Sequence, residues 1–269
     1  MDPRIAEGLS RFESISLDAL NRRAAMLERL DRKYIVPAAR LRPALDALRE
    51  GFDVLEIGGR RAFTYATRYF DDADQRAYYD HHQGRRKRCK VRVRNYVDAG
   101  FTYLEVKLKD KRDVTVKKRL RLAGPLEVLD EACTRFIDRC HAELYGAPFA
   151  RLLSPVIAMR YERITLVARQ GGERMTIDTR LDFATDGQAR EVPPELSIVE
   201  TKSARGNGAA DAVLRGLHLH PTRRCSKYCI GMAALGQVER ANRFLPALRR
   251  LCLAGPTMLP LAAASLNAA

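Results

Sequence analysis

Two neighbouring segments, Cys89-Lys90-Val91-Arg92-Val93-Arg94-Asn95-Tyr96 and Tyr103-Leu104-Glu105-Val106-Lys107-Leu108-Lys109, alternate strictly between apolar and charged residues. Strand side chains point to opposite faces with a period of two, so each segment has one apolar and one charged face. Val91 and Val93 oppose Arg92 and Arg94, and Leu104, Val106 and Leu108 oppose Glu105, Lys107 and Lys109. Asp98-Ala99-Gly100 supplies a turn, so the pair reads as a hairpin with Arg92, Arg94, Glu105, Lys107 and Lys109 on one face. Taken alone, such a face can be a solvated surface crossed by a few ion pairs.

The pattern repeats. In 159–167, Tyr161, Arg163 and Thr165 oppose Ile164 and Leu166. In 173–183, Arg174, Thr176, Asp178, Arg180 and Asp182 oppose Met175, Ile177, Thr179, Leu181 and Phe183. Glu200 and Lys202 share a face in 196–202, Lys33 lies in a short strand over 31–36, and Lys227 begins a late helix. Two architectures use such strands. The sheet can pack its apolar face on helices and show its charges to water. Alternatively it can close, with the charges pointing into a lumen wide enough, at about eight strands, for one slim ligand. Like charges crowded in a lumen repel and lose hydration, so that arrangement makes sense around a polyanion with a divalent cation.

Net charge narrows the partner. Lys and Arg exceed Asp and Glu by 15, which calls for an anion: nucleic acid, anionic membrane or polyphosphate. Residues 85–121 hold fifteen Lys/Arg against four Asp/Glu, so much of the excess sits around the hairpin. Trp is absent and aromatics make up 7%, which argues against a stacking surface for single-stranded nucleic acid. The run Arg85-Arg86-Lys87-Arg88-Cys89-Lys90 reads as a solvated loop, a funnel drawing in polyanions, or a nucleic-acid contact.

Six cysteines (Cys89, Cys133, Cys140, Cys225, Cys229, Cys252) include no CxxC pair and no zinc spacing, so zinc is not expected. The pairs Cys133/Cys140 and Cys225/Cys229 read as small buried thiols, and His81, His82, His218 and His220 as surface residues. Tyr78, Tyr79, Phe136 and Tyr145 read as packing residues. There is no signal-peptide pattern and no run near the ~18 apolar residues of a membrane span, so a cytoplasmic protein without a membrane segment is expected.

Along the chain, helices are expected over 16–30 (capped by Ser16), 38–50, 126–144, 223–235 and 238–253, and a short helix or helical turn over 71–82. Strands are expected over 31–36, 52–57, 61–70, 114–120, 160–168, 173–183 and 196–202 besides the hairpin. Strands in two batches with helices between and after them suggest α+β on an antiparallel sheet. The expected division is a helical segment over 1–26, a catalytic domain over 27–254 and a flexible tail over 255–269.

The succession Asp31-Arg32-Lys33-Tyr34, Val91-Arg92-Val93-Arg94, Leu104-Glu105-Val106-Lys107, Tyr161-Glu162-Arg163, Arg174 with Asp178, Val199-Glu200-Thr201-Lys202 and Cys225-Ser226-Lys227-Tyr228 resembles the catalytic domain of the vacuolar transporter chaperone (VTC) family. These are polyphosphate polymerases of the triphosphate tunnel metalloenzyme superfamily. The resemblance covers roughly 27–236. It implies an α+β fold with a closed antiparallel β tunnel barrel of about eight strands and flanking helices. It further implies phosphate contacts from Lys33, Arg92, Arg94, Lys107, Arg163, Lys202 and Lys227, with Tyr161, Arg174, Ser226 and Lys109 also binding substrate. Mn²⁺ or Mg²⁺ would be held by Glu200, with Glu105 a second metal candidate. ATP and polyphosphate would be the partners. Asp31 departs from the Glu common in the first strand, and neither the amino-terminal sensor module nor the transmembrane segments of the eukaryotic complexes are seen. A stand-alone member is therefore expected.

Phosphoryl transfer needs mainly positioning and charge neutralisation. Arg offers bidentate hydrogen bonds and Lys a point charge, while a carboxylate can hold a hard cation. For chain growth the nucleophile is an anionic terminal phosphate oxygen, which needs no general base. A triphosphatase would need one, with Glu105 or Asp178 the candidates. A non-catalytic polyphosphate or nucleic-acid binder remains a further reading of the same lining. Glu105 can equally pair with Lys107 or Arg94, and Asp178 with Arg174.

Overall fold

The computed structural model describes residues 1–24, 30–110, 115–255 and 259–260. The chain opens with α1 (Pro3–Ser10), β1 (Ser14–Ile15), α2 (Leu17–Arg23), β2 (Leu30–Pro37) and α3 (Ala38–Leu48). There follow β3 (Phe52–Leu55), β4 (Ala62–Asp71), α4 (Arg76–Gln83), β5 (Arg88–Tyr96), β6 (Phe101–Lys109) and β7 (Thr115–Leu122). After α5 (Glu131–Tyr145) come β8 (Ser154–Ala168), β9 (Arg174–Thr185), β10 (Gln188–Glu191) and β11 (Leu196–Ser203). The chain then forms α6 (Ala209–Gly216), α7 (Lys227–Ala234), α8 (Leu245–Arg250) and the short β12 (Leu259–Pro260).

The hairpin stands as read: β5 and β6 pair from Arg88↔Lys109 to Tyr96↔Phe101, with Gly100 left-handed in the turn. The main sheet runs β2-β11-β9-β8-β4-β5-β6-β7, antiparallel throughout. A register shift on β8 between Arg160 and Glu162, with Arg180 at positive φ on β9, marks a bulge. Before it β9 pairs with β11, and beyond it with β10.

The expected closure of about eight strands into a barrel is not made by hydrogen bonds. Among the described residues no ladder joins β2 to β7. Charge on an edge strand opposes strand addition, and β7 carries Lys117, Lys118, Arg119 and Arg121. The sheet nevertheless curls on itself. Laid flat, the five strand spacings from β11 to β6 would put them about 24 Å apart. Yet Glu200 of β11 is among the charges that act on Lys107 of β6.

The apolar strand faces point outward and are covered. Tyr34, Val36, Ile164, Leu166, Met175, Ile177 and Val199 pack with α1, α3 and α6. Val91, Val93, Leu104, Val106 and Leu108 pack with Cys133, Phe136, Ile137 and Cys140 of α5. The inner face changes character along its length. Ile35, Ile157, Met159, Leu181 and Ile198 pack against α7 and α8, while the polar remainder is left for the site. Helix α7 lies close on the sheet: a Cβ on Gly231 would stand 2.6 Å from Phe183 and 2.8 Å from Ile157. Its register is fixed by Asp71, whose carboxylate accepts from the Tyr228 hydroxyl at 2.5 Å and from the amides of Ala77 and Tyr78 in α4.

Several boundaries differ from the sequence reading. Ser16 caps α2 as expected, but the described helix ends at Arg23 and 25–29 lie outside the described residues. The start of the 114–120 strand is likewise outside them. Helix α5 starts at Glu131, where the Asp130 carboxylate accepts from the Cys133 amide. The expected helices over 223–235 and 238–253 shorten to α7 and α8, and α1, α6 and β10 were not expected. Cys133, Cys140, Cys225 and Cys229 are buried as read, but His82 is buried rather than superficial and bonds Asn242 at 2.7 Å. Burial and the neighbouring Lys90 and Arg88 push the His81 imidazole down to about 2.

Candidate functional site

Successive strands deliver their charged residues to the inner face because antiparallel partners in register share a face. On β2 and β11, Glu200 stands opposite Lys33. Its carboxylate meets the Lys33 ammonium at 3.3 Å and that of Lys202 at 3.0 Å. Burial opposes the Glu200 charge, but Lys202, Lys33 and Lys227 hold it well below the usual carboxylate range. Asp31 behaves oppositely: burial, and then the adjacent Glu200 charge, raise its affinity for a proton. The two carboxyl groups hydrogen bond to each other.

One strand further on, Arg163 of β8 grips Asp178 of β9 with two hydrogen bonds of 2.6 and 2.7 Å. Lys227, at the first turn of α7, reaches the same carboxylate at 2.5 Å. Against its complete burial, Arg163 and Lys227 bring Asp178 down to about 2. Tyr161 lies beneath, with the Arg163 and Lys227 cations each 5.3 Å from its ring centre. Its hydroxyl is buried without a hydrogen-bond partner among the described residues.

Glu105 is the hub of the other flank. Arg92 donates to it at 2.7 and 2.5 Å, Arg94 lies at 3.7 Å, and Lys117 of β7 completes the ring of cations. Burial works against the Glu105 charge, yet these three hold it far below its ordinary range. Arg92 also donates to the Tyr69 hydroxyl at 2.8 Å. Ser226, at the start of α7, makes no capping bond with its side chain and accepts instead from Lys90 of β5 at 3.0 Å. Helix α7 thus touches β5 through Ser226 and β9 through Lys227.

Lys33, Arg92, Arg94, Lys107, Arg163, Lys202, Lys227, Tyr161, Ser226, Glu105 and Glu200 are therefore brought to one face. Arg174 opens β9 opposite Lys202, and Lys109 ends β6 opposite Arg88 and Thr115. Asp178 takes Arg163 and Lys227 as partners, where the sequence had left Arg174 open as one. Lys90, Lys117, Tyr65 and Tyr69 were not among the residues expected from sequence. Lys117 was available from the alternation of Val116, Leu120 and Leu122 with Lys117, Arg119 and Arg121; Lys90 precedes Arg92 by two on the same strand face.

Cations outnumber carboxylates here, and burying like charges together lowers the affinity of the lysines for protons. Arg92 and then burial hold Lys107 well below its ordinary value. Burial, countered by Glu105 and reinforced by Arg92, brings Lys117 down to about 8. A bound polyanion favours the protonated forms, so binding is expected to take up protons at pH 8 and above, with affinity falling as pH rises through that range. For the free protein the sign is opposite. The unfolded lysines keep their protons to higher pH, so this contribution to stability grows from about pH 8 upward. Calorimetry with tripolyphosphate at pH 8, in buffers of different ionisation enthalpy, checks the linkage; binding heats independent of buffer would take these lysines out of the site.

A curled antiparallel sheet, apolar outside and cationic inside, with helices packed on it, defines an α+β protein. Residues 28–236 match the family model of the VTC domain, and the chain belongs to that family. Among solved structures it is similar to the PH1819 protein of Pyrococcus horikoshii OT3, at 12% identity and TM-score 0.45, covering 76% of this chain and 98% of that one. It is also similar to a putative adenylyl cyclase of Hippeastrum, HpAC1, described as having a dominant triphosphatase activity. That likeness has 13% identity and TM-score 0.46, covering 81% of this chain and 100% of that one. No curated protein matches the sequence.

Proposed function

We propose that this protein is a divalent-metal-dependent polyphosphate polymerase, which transfers the terminal phosphoryl group of ATP to a growing polyphosphate chain. The observation that carries the reading is the convergence of Lys33, Arg92, Arg94, Lys107, Arg163, Lys202 and Lys227, from five strands and a helix, on one face. Such a surplus of desolvated cations suits a ligand with several charges in a row. The chain closes round that ligand as a tunnel when the gap between β2 and β7 is bridged by side chains and phosphates instead of backbone bonds.

In the transfer, a terminal oxygen of the acceptor chain attacks the γ-phosphorus of ATP. The bond to the bridging oxygen breaks, and ADP departs with that electron pair. The guanidinium groups of Arg92, Arg94 and Arg163 offer non-bridging oxygens their charge and the N–H donors not engaged by Glu105, Tyr69 and Asp178, and the lysines offset charge. The Tyr161 hydroxyl, which has no partner among the described residues, and that of Ser226 are further contacts for phosphate oxygens in this reading. Glu200, with Asp31 alongside, offers oxygen donors that would suit Mg²⁺ or Mn²⁺. Bound there, such an ion would shield phosphate oxygens from one another.

The state of the carboxylates favours transfer over hydrolysis. Glu105 and Asp178, the candidate bases for activating water, are both ion-paired and held at low proton affinity. Such groups are poor general bases near neutral pH. A tunnel triphosphatase is the second reading, and Asp31, whose proton affinity is raised, is the group that supports it. Incubation with ATP and Mn²⁺ separates the two. Long polyphosphate chains are the expected product, phosphate without chains would establish the hydrolase, and neither product would leave a binding protein.

A further inference from the structure

Beyond the phosphate-gripping residues, the same inner face carries rings and guanidinium groups. Along β5 the face continues from Arg92 and Arg94 to Tyr96, along β6 from Glu105 to Tyr103 and Phe101, and along β7 from Lys117 to Arg119 and Arg121. Tyr96 lies 4.7 Å from Phe101 and 4.9 Å from Tyr65, ring centre to ring centre. The Arg121 guanidinium lies 4.8 Å from the Phe101 ring and 5.4 Å from that of Tyr103, while Arg119 lies 5.2 Å from Tyr103. The three rings are half-buried and both arginines are exposed. Among the described residues, no carboxylate is paired with either arginine.

We propose that Tyr96, Phe101, Tyr103, Arg119 and Arg121 form the platform on which the base of the nucleoside triphosphate stacks. The proposal rests on the reading of the adjoining lining as a triphosphate site and adds the subsite for the rest of the donor. Distance supports it. At about 3.4 Å per residue, Tyr103 lies roughly 7 Å along the strand from Glu105, the centre of the arginine cluster. A nucleotide whose phosphates lie at Arg92, Arg94 and Lys117 therefore brings its base to this level. Rings and guanidinium planes attract another flat π system but give a phosphate chain no counterpart to the rings. The platform thus holds the nucleotide and not the polyphosphate chain. It offers faces rather than a fixed set of hydrogen bonds, so purines are favoured over pyrimidines by stacking area with little discrimination between adenine and guanine.

The test uses the full chain and three ligands: ATP, CTP and ribose 5-triphosphate, which has the same triphosphate without a base. Wild type is expected to bind ATP more tightly than CTP, and CTP more tightly than ribose 5-triphosphate. Tyr103→Leu, which keeps apolar cover but removes the ring, should weaken ATP binding about tenfold while ribose 5-triphosphate binding holds. Arg121→Gln, on an exposed side chain, should give the same split should the Leu variant fold poorly. Equal losses for ATP and ribose 5-triphosphate, or no loss for either, would overturn the platform and leave the triphosphate site standing. Wild-type protein that binds none of the three would overturn both.

Discussion

Glu105→Gln is expected to destabilise the ligand-free protein by about 3–5 kcal/mol, the cost of leaving buried charges without their partner. For a chain of this size that is a fall of roughly 10 °C in Tm. The reason lies in the geometry: one carboxylate, fully buried, serves Arg92, Arg94 and Lys117 together. Gln preserves the shape and one acceptor oxygen but removes the charge. The three cations then face one another across β5, β6 and β7, with Lys107 beside them. Tripolyphosphate should recover more stability in the variant than in wild type, since it replaces the lost anion. A ligand at a hundred times its Kd already contributes about 2.7 kcal/mol. Thermal melts of both proteins with and without tripolyphosphate provide the check. An unchanged Tm in the variant, or a smaller ligand response than in wild type, would show that the cluster is not organised around Glu105.

How much of this was legible from sequence differs between the strands and their enclosure. A period of two is a local property, so the sequence alone places Arg92, Arg94, Lys107, Arg163 and Lys202 on strand faces. Which face became the inside was settled by the helices. The apolar sides of β5 and β6 are covered by Cys133, Phe136 and Ile137 of α5, which leaves the charged side inward. Pairings between distant strands were less accessible. Asp178 meets Lys227 across almost fifty residues of chain, because α7 is pinned to β4 through Tyr228 and Asp71. Closure was the least legible of all. Alternation describes each strand identically in an open or a closed sheet, and the edges of β2 and β7, unpaired among the described residues, depend on strand order and edge charge. Helix ends drifted for a local reason: a cap such as Asp130 starts α5 five residues after the apolar stripe begins.

Glu200→Gln is expected to lower metal-stimulated turnover of ATP by about two to three orders of magnitude, the scale typical of losing one preorganised electrostatic contact. What Glu200 does without substrate sets the terms of the comparison. It offsets Lys33 at 3.3 Å and Lys202 at 3.0 Å, and it shares a hydrogen bond with Asp31. A residue that only balanced those lysines would be replaceable: its loss would free two cations for the phosphate chain, tighten anion binding and leave turnover intact. A residue that also holds the divalent ion behaves differently. The variant should bind tripolyphosphate at least as tightly as wild type when metal is chelated, because a negative charge has left the site. It should fail to gain from added Mn²⁺ or Mg²⁺, because a neutral amide has replaced the anionic donor for the ion. Opposite signs in the two measurements are the signature of the double role. Metal-stimulated turnover equal to wild type would assign Glu200 to charge balance alone and move the ion elsewhere on the face.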